Sequence, residues 1–110
     1  RGIVQQAMVH AAPHTEGAPQ TITFPPLADQ QSGATSLKLA ATSSADLPVS
    51  YYVLEGPAEI DGSTLRFTAI PPRARFPIKV TVVAWQFGRI GESAVQTAKP
   101  VERSFLIRRR

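Results

Sequence analysis

The stretch from Arg75 to Arg89, RFPIKVTVVAWQFGR, decides the fold class. Side chains at every second residue of a β-strand point to the same face of the sheet. One face, which we expect to lie on the core, therefore carries Ile78, Val80, Val82 and Ala84. The other face carries Lys79, Thr81, Val83, Trp85 and Phe87. Trp85 then points outward unless a β-bulge at Trp85-Gln86 reverses the alternation.

Shorter runs with the same alternation lie on both sides of this stretch and are separated by turn residues. They are TITFPPL from Thr21, SLKLAAT from Ser36, VSYYVLE from Val49, AEI from Ala58, TLRFTA from Thr64, and RSFLI from Arg103. An Asp61-Gly62 turn of hairpin type joins AEI to TLRFTA. About seven strands with Gly- and Pro-rich turns predict an all-β fold, two antiparallel sheets packed face to face.

The composition is that of one small soluble domain. The chain has 110 residues, of which 43% are hydrophobic and 18% charged. The absence of cysteine excludes disulfides and thiolate metal sites. No apolar run approaches the roughly 20 residues that span a membrane, so no membrane insertion is expected. The net charge of +4 favours an anionic partner, although three of the twelve cations are the terminal Arg108–Arg110.

Residues 1–19 differ from the rest of the chain. Val4, Ala7, Met8 and Ala11 share one face of a short helix, and Pro13 with the residues after it breaks regular structure. We interpret residues 1–19 as a linker or the end of an upstream element, and residues 20–110 as the domain. A strand that pairs with a neighbouring domain is the rival interpretation. Because the chain begins at Arg1 without methionine, we interpret it as a piece of a longer protein.

Four segments together carry the pattern of a known family: QTITFPPLAD from Gln20, ATSSADLPVSYYVLEGPAEIDGSTLRFT from Ala41, VTVVA from Val80 and VERSFLI from Val101. They resemble a bacterial immunoglobulin-like (Big-type) domain of exported multidomain proteins. The resemblance implies an immunoglobulin-like β-sandwich without catalytic residues, located extracellularly, on the cell surface or in the periplasm. The chain departs from the family where 69–77 replace a very short glycine turn, and where 85–88 replace small residues.

Metal ligands are poorly arranged in the sequence. His10 and His14 have a metal-like spacing, with Glu16 as a third ligand, but Pro13 between them prevents a continuous helical turn. The aspartates that could hold calcium are isolated from one another: Asp29, Asp46 and Asp61. We therefore expect no metal and no cofactor.

Catalytic groups are also missing from the predicted sandwich. Nucleophilic catalysis needs a nucleophile and a base in contact. Both histidines lie in the first 19 residues, and there is no cysteine. The remaining carboxylates, Glu55, Glu59 and Asp61, lie around a turn, where acidic residues are normally solvated. We expect this domain not to be an enzyme.

Trp85 heads the candidate ligand-binding residues. With Phe87 and the cations Arg73, Arg75 and Arg89 it could form a surface for a sugar ring or a protein partner. Alternatively, Trp85 packs under the connection from Ile70 to Pro77, or against the N-terminal segment, and closes the sandwich edge. Nucleic-acid motifs are absent from the sequence, and the exported context argues against that partner.

The sequence therefore predicts a non-catalytic accessory or spacer domain of a larger exported bacterial protein, which positions or buttresses a neighbouring domain of the same polypeptide. The alternative is a carbohydrate-binding module that uses Trp85 and nearby arginines to bind a polysaccharide. A third interpretation is a docking domain that buttresses a catalytic partner within the same chain.

Overall fold

The structure, a computed structural model, describes residue 15, residues 17–90 and residues 93–109. Within these residues it is all-β, without a helix, as the alternation predicts. The strands are β1 Ile22–Thr23, β2 Gln30–Gln31, β3 Ser36–Lys38, β4 Thr42–Ser43, β5 Ser50–Glu55, β6 Ala58–Asp61, β7 Thr64–Phe67, β8 Ile78–Trp85 and β9 Val101–Arg108. None of the described segments is a long apolar helix of the kind that crosses a membrane.

The strands form three sheets. The largest has the order β2-β9-β8-β5, with β8 antiparallel to both of its neighbours and β2 parallel to β9. The second has the order β3-β7-β6, and the third pairs β1 with β4. Within the described residues the structure has nine strands, against the expected number of about seven. Pro25-Pro26 separates β1 from β2, and residues 39–41 separate β3 from β4 without ladder pairing.

The core lies between the four-stranded sheet and the other two. The ring of Phe67 on β7 meets that of Phe105 on β9 edge to face at 6.0 Å, and Phe24 meets Tyr51 on β5 at 5.7 Å. The expected inward face of β8 is confirmed, since Ile78 packs against the core and three further members are fully buried: Val80, Val82 and Ala84. These contacts tie the sheets into one apolar interior.

The β6–β7 hairpin forms as expected, but its turn lies one residue further along. Asp61 is paired with Thr64, so the two loop residues are Gly62 and Ser63. Gly62 has a φ of 64°. Glycine with positive φ at the first loop position is the pattern of a type II′ turn, whose twist suits a two-residue hairpin.

The ordered pairing begins before residue 20. Ala18 forms a parallel bridge with Val95, through hydrogen bonds to Ala94 O at 3.0 Å and from Gln96 N at 2.8 Å. Gln20 is buried, and its Nε2 donates to Gln96 O at 2.8 Å. The expected boundary at residue 19 thus falls inside a paired segment. The predicted helical face and both histidines lie outside the described residues.

Candidate functional site

Trp85 is the last residue of β8 and is half-buried. Its Cα partner on β5 is Ser50. Val83, two residues earlier on the same side of the strand, is only 2% exposed although it lies outside the core cluster. The outward face of β8 is therefore covered over part of its length, and Trp85 is not a fully exposed platform.

A polar row crosses this outward face at Thr81, which is also 2% exposed. Its Oγ1 donates to Glu55 Oε1 at 3.0 Å and lies 2.8 Å from Ser104 Oγ. A hydroxyl has one hydrogen, so Ser104 is the donor to Thr81 when Thr81 donates to Glu55. Lys79 Nζ lies 3.7 Å from the same Glu55 oxygen. The polar side chains of this row therefore satisfy one another's hydrogen-bonding groups.

Tyr52 occupies the next position of this face, level with Val83 and Glu102 in the strand register. Burial raises the pKa of its phenol, and the negative charge of Glu102 raises it further. The Tyr52 phenol therefore stays neutral near neutral pH.

Phe87 and Arg89 follow Trp85 beyond the end of β8. The Phe87 carbonyl accepts a hydrogen bond from Thr97 Oγ1 at 2.5 Å, and Arg89 Nε donates to Ser93 O at 2.7 Å. Arg89 also exchanges backbone hydrogen bonds with Val95. Both residues thus help to hold the segment between β8 and β9, which we call the arm.

Arg73 and Arg75 lie at the other end of β8, before its first residue. A strand of 8 residues is roughly 23 Å long at about 3.3 Å per residue. The structure therefore does not bring these two arginines to Trp85, and the five candidate residues do not form one site. The connection that contains these two arginines lies at the same distance and therefore does not cover Trp85.

A groove of about 500 Å³ lies beside this connection instead. The turn from β2 to β3 and the chain between β7 and β8 form its walls. It is lined by Gln31, Ser32, Gly33, Ala34, Thr35, Phe67, Thr68, Ile70, Pro71, Pro72, Phe76 and Ile107.

Charges next to the groove are mostly positive. The guanidinium carbon of Arg109 lies 4.6 Å from the ring centre of Phe76, a cation–π contact. Arg108 is neutralised by Asp29, at 3.1 Å from Nη2 to Oδ2. The pKa of Asp29 is lowered, chiefly by a hydrogen bond from the Leu106 N–H, with Arg108 adding to the effect and burial opposing it.

Two of the three carboxylates considered for catalysis have separate partners. Glu55 bonds to Thr81, and Asp61 pairs with Arg66 at 3.0 Å. In the described part of the chain, no group of three His, Asp or Glu residues could hold a metal ion. This arrangement gives no acid–base pair poised over a cavity.

Comparison with known proteins gives no relative: no family model, no curated protein and no solved structure matches this chain.

The residues that line the groove are not among the candidate site residues that the sequence predicts. The sequence does carry a signal, because 69–77 form a connection much longer than a glycine turn. The distance between this connection and Trp85 follows from the direction of β8 alone. The approach of the β2–β3 turn does not, because it depends on the parallel pairing of β2 with β9.

Proposed function

We propose that this chain is an immunoglobulin-like sandwich that acts as a non-catalytic spacer in a larger exported bacterial protein, where it holds a neighbouring domain at a fixed distance and orientation. The observation that carries the proposal is that the described chain enters and leaves at opposite ends of an elongated body.

The strand order supports the immunoglobulin-like part of the proposal. Only residues 39–41 separate β3 from β4, so the two pieces read as one interrupted strand. We label this interrupted strand B. The strands β1, β7 and β6 then correspond to A, E and D, which gives a sheet of order A-B-E-D. In the other sheet, β5, β8 and β9 correspond to strands C, F and G. The sheets of a constant-type immunoglobulin fold have the strands A-B-E-D and C-F-G, so this correspondence, which leaves β2 over, supports the proposal.

The positions of the two ends support the spacer role. Ala18 pairs with Val95 in the arm that precedes β9, whereas Arg109 follows the far end of β9. The body measures 52 × 26 × 17 Å, and the fourteen residue-to-residue steps from 95 to 109 would span at most roughly 45 Å. Neighbours attached at these ends would be held apart along the long axis.

Paired backbone along this axis supports rigidity. β9 is hydrogen-bonded to β8 along nearly its whole length, from Ile107 opposite Ile78 to Val101 opposite Ala84. The arm continues the pairing, with the Ala98 N–H donating to Gln86 O at 2.9 Å. A spacer needs this continuity because a flexible segment would let the attached domains wander.

A distance measurement tests the proposal. The chain has no cysteine, so Pro19→Cys and Arg109→Cys introduce two unique sites for spin labels. We expect pulsed electron paramagnetic resonance to give one narrow distance distribution near 45 Å. A Gly/Ser linker of equal length, labelled at its ends, is the control and gives a broad distribution. A similarly broad distribution for this chain would exclude a rigid spacer.

The carbohydrate-binding alternative is less well supported. It relied on Trp85 together with nearby arginines, and two of those arginines lie at the other end of β8. Retention on polysaccharide affinity gels, lost in Trp85→Ala, would restore it.

A further inference from the structure

The groove beside the β7–β8 connection has a preformed apolar floor. The Phe67 ring is fixed by its edge-to-face contact with buried Phe105, and Ile107 is 2% exposed. Ile70 and Phe76 are half-buried and pack against the core cluster. These side chains are anchored from below, so a ligand would meet a surface that is already in place.

The opposite wall is a braced turn. The Ser32 N–H donates to Arg108 O at 2.8 Å, and the Ala34 N–H donates to Gln31 O at 3.1 Å. Gly33 lies between them with a φ of 101°, a conformation that favours glycine. Both walls of the groove are therefore held by the fold.

The rim carries positive charge that the described carboxylates leave uncompensated. Arg73 and Arg75 are exposed on the connection that forms one wall, and Arg109 lies against Phe76. None of the three forms an ion pair within the described chain. The acid Asp29, on the strand side of the groove, is already paired with Arg108. A ligand with an acid group would gain charge-assisted hydrogen bonds at this rim.

From these features we propose that the groove binds small amphiphilic anions: organic acids with an aliphatic or aromatic body. The volume of about 500 Å³ falls in the range of small-molecule sites, roughly 300–1,000 Å³. The apolar body lies on Phe67, Ile70 and Phe76, and the acid group meets the arginines. This binding is additional to the spacer role and does not depend on it.

The probe for this site is 1-anilinonaphthalene-8-sulfonate, an aromatic anion that fluoresces in apolar surroundings. We expect saturable binding to one site on the full chain, weakened by salt. The neutral analogue N-phenyl-1-naphthylamine should bind at least roughly tenfold more weakly because it cannot use the arginines. Octanoate should displace the bound sulfonate, whereas octanol should not.

Two double variants test whether the effect of charge on sulfonate binding comes from the arginines beside the groove. The double change Arg73→Gln/Arg75→Gln should weaken sulfonate binding roughly tenfold. The control Lys38→Gln/Lys99→Gln removes the same charge from exposed positions outside the groove and should leave binding within roughly twofold. Thermal unfolding of each variant verifies that the fold is kept, because the dye also binds partly unfolded chains.

Amide chemical shifts provide a second readout that does not depend on the variants. Octanoate should shift the amides of 31–35, 67–70 and 107, and leave those of 50–53 unchanged. Equal binding of the neutral and the anionic dye would overturn the proposal. An equal loss of sulfonate binding in both double variants would also overturn it. The same holds for amide shifts confined to the end of the molecule that carries Trp85.

Discussion

The backbone N–H of Ala41 donates a 2.9 Å hydrogen bond to the phenolic oxygen of Tyr51, across the core from one sheet to the other. Ala41 lies between β3 and β4, where ladder pairing is interrupted, and Tyr51 lies on β5 with 6% of its surface exposed. We expect Tyr51→Phe to destabilise the domain by about 1–2 kcal/mol, because it leaves this amide without a partner. Urea unfolding measures the change.

Tyr52→Phe is the matched control. It removes the same hydroxyl from the adjacent residue, whose phenolic oxygen makes no hydrogen bond within the described chain and which is only half-buried. Its effect should stay within about 0.5 kcal/mol. Equal effects of the two substitutions would show that the bond between Ala41 and Tyr51 contributes nothing.

Alternation predicts the inward faces of this domain well, for a physical reason. A strand with one buried face must place every second side chain in the core, so Val80, Val82 and Ala84 could be assigned without a structure. The break between β3 and β4 could not be predicted, since there the Ala41 N–H bonds to the Tyr51 hydroxyl of the other sheet. Sequence alternation carries no information on such contacts between sheets.

Gly56 supports the close approach of the β5–β6 turn to β8. Its φ is 107°, and a Cβ at this position would lie 2.9 Å from Lys79 O and 2.8 Å from Val80 Cγ2. We expect Gly56→Ala to destabilise the domain by about 3 kcal/mol or more, from backbone strain together with overpacking. The shift of the urea midpoint measures the effect.

Gly62→Ala separates these two causes. Gly62 also has positive φ, at 64°, but a Cβ there would meet no atom within 4 Å. It should cost about 1 kcal/mol, from backbone strain alone. If Gly56→Ala costs no more than this, the turn can move away from β8 and the close approach is not a constraint.

Asp29 links stability to pH. Its pKa is lowered from the ordinary 3.8, chiefly by the hydrogen bond from Leu106, so the folded state binds this proton less readily than the unfolded chain does. The stabilisation is therefore fully present above about pH 4 and is lost as the pH falls through the lowered pKa. We expect Asp29→Asn to have a lower free energy of unfolding than the wild type at neutral pH. Below pH 4 its free energy of unfolding should depend less on pH.

Glu59→Gln is the control for this experiment, because it removes one exposed carboxylate from β6. The change in unfolding free energy between pH 5 and pH 2.5 should match that of the wild type more closely in Glu59→Gln than in Asp29→Asn. An unchanged pH dependence in Asp29→Asn would contradict the role given to the Leu106 contact.

The candidate site was less predictable than the fold, and Trp85 explains why. Alternation predicts the side of β8 on which Trp85 lies but could not reveal that Val83, which it assigns to the same side, is 2% exposed. The arginines were grouped with Trp85 because they occur in one stretch of sequence, yet a strand separates residues at its two ends. The groove, in contrast, is built from segments far apart in the sequence, around Gln31, Phe67 and Ile107.

Trp85 provides the last prediction, which distinguishes a structural role from a ligand-binding one. Because the indole is half-buried, Trp85→Ala should destabilise the domain by about 2 kcal/mol, below the 3–5 kcal/mol of a fully buried aromatic residue and above a surface change. The control is Leu54→Ala on the neighbouring strand, where 53% of the residue is exposed and a loss within about 0.5 kcal/mol is expected. As the only tryptophan in the chain, Trp85 also reports its own exposure through fluorescence, and we expect quenching by iodide slower than for free indole. Unchanged stability in Trp85→Ala, combined with loss of retention on an acidic-polysaccharide gel, would refute the structural role and favour the carbohydrate-binding alternative.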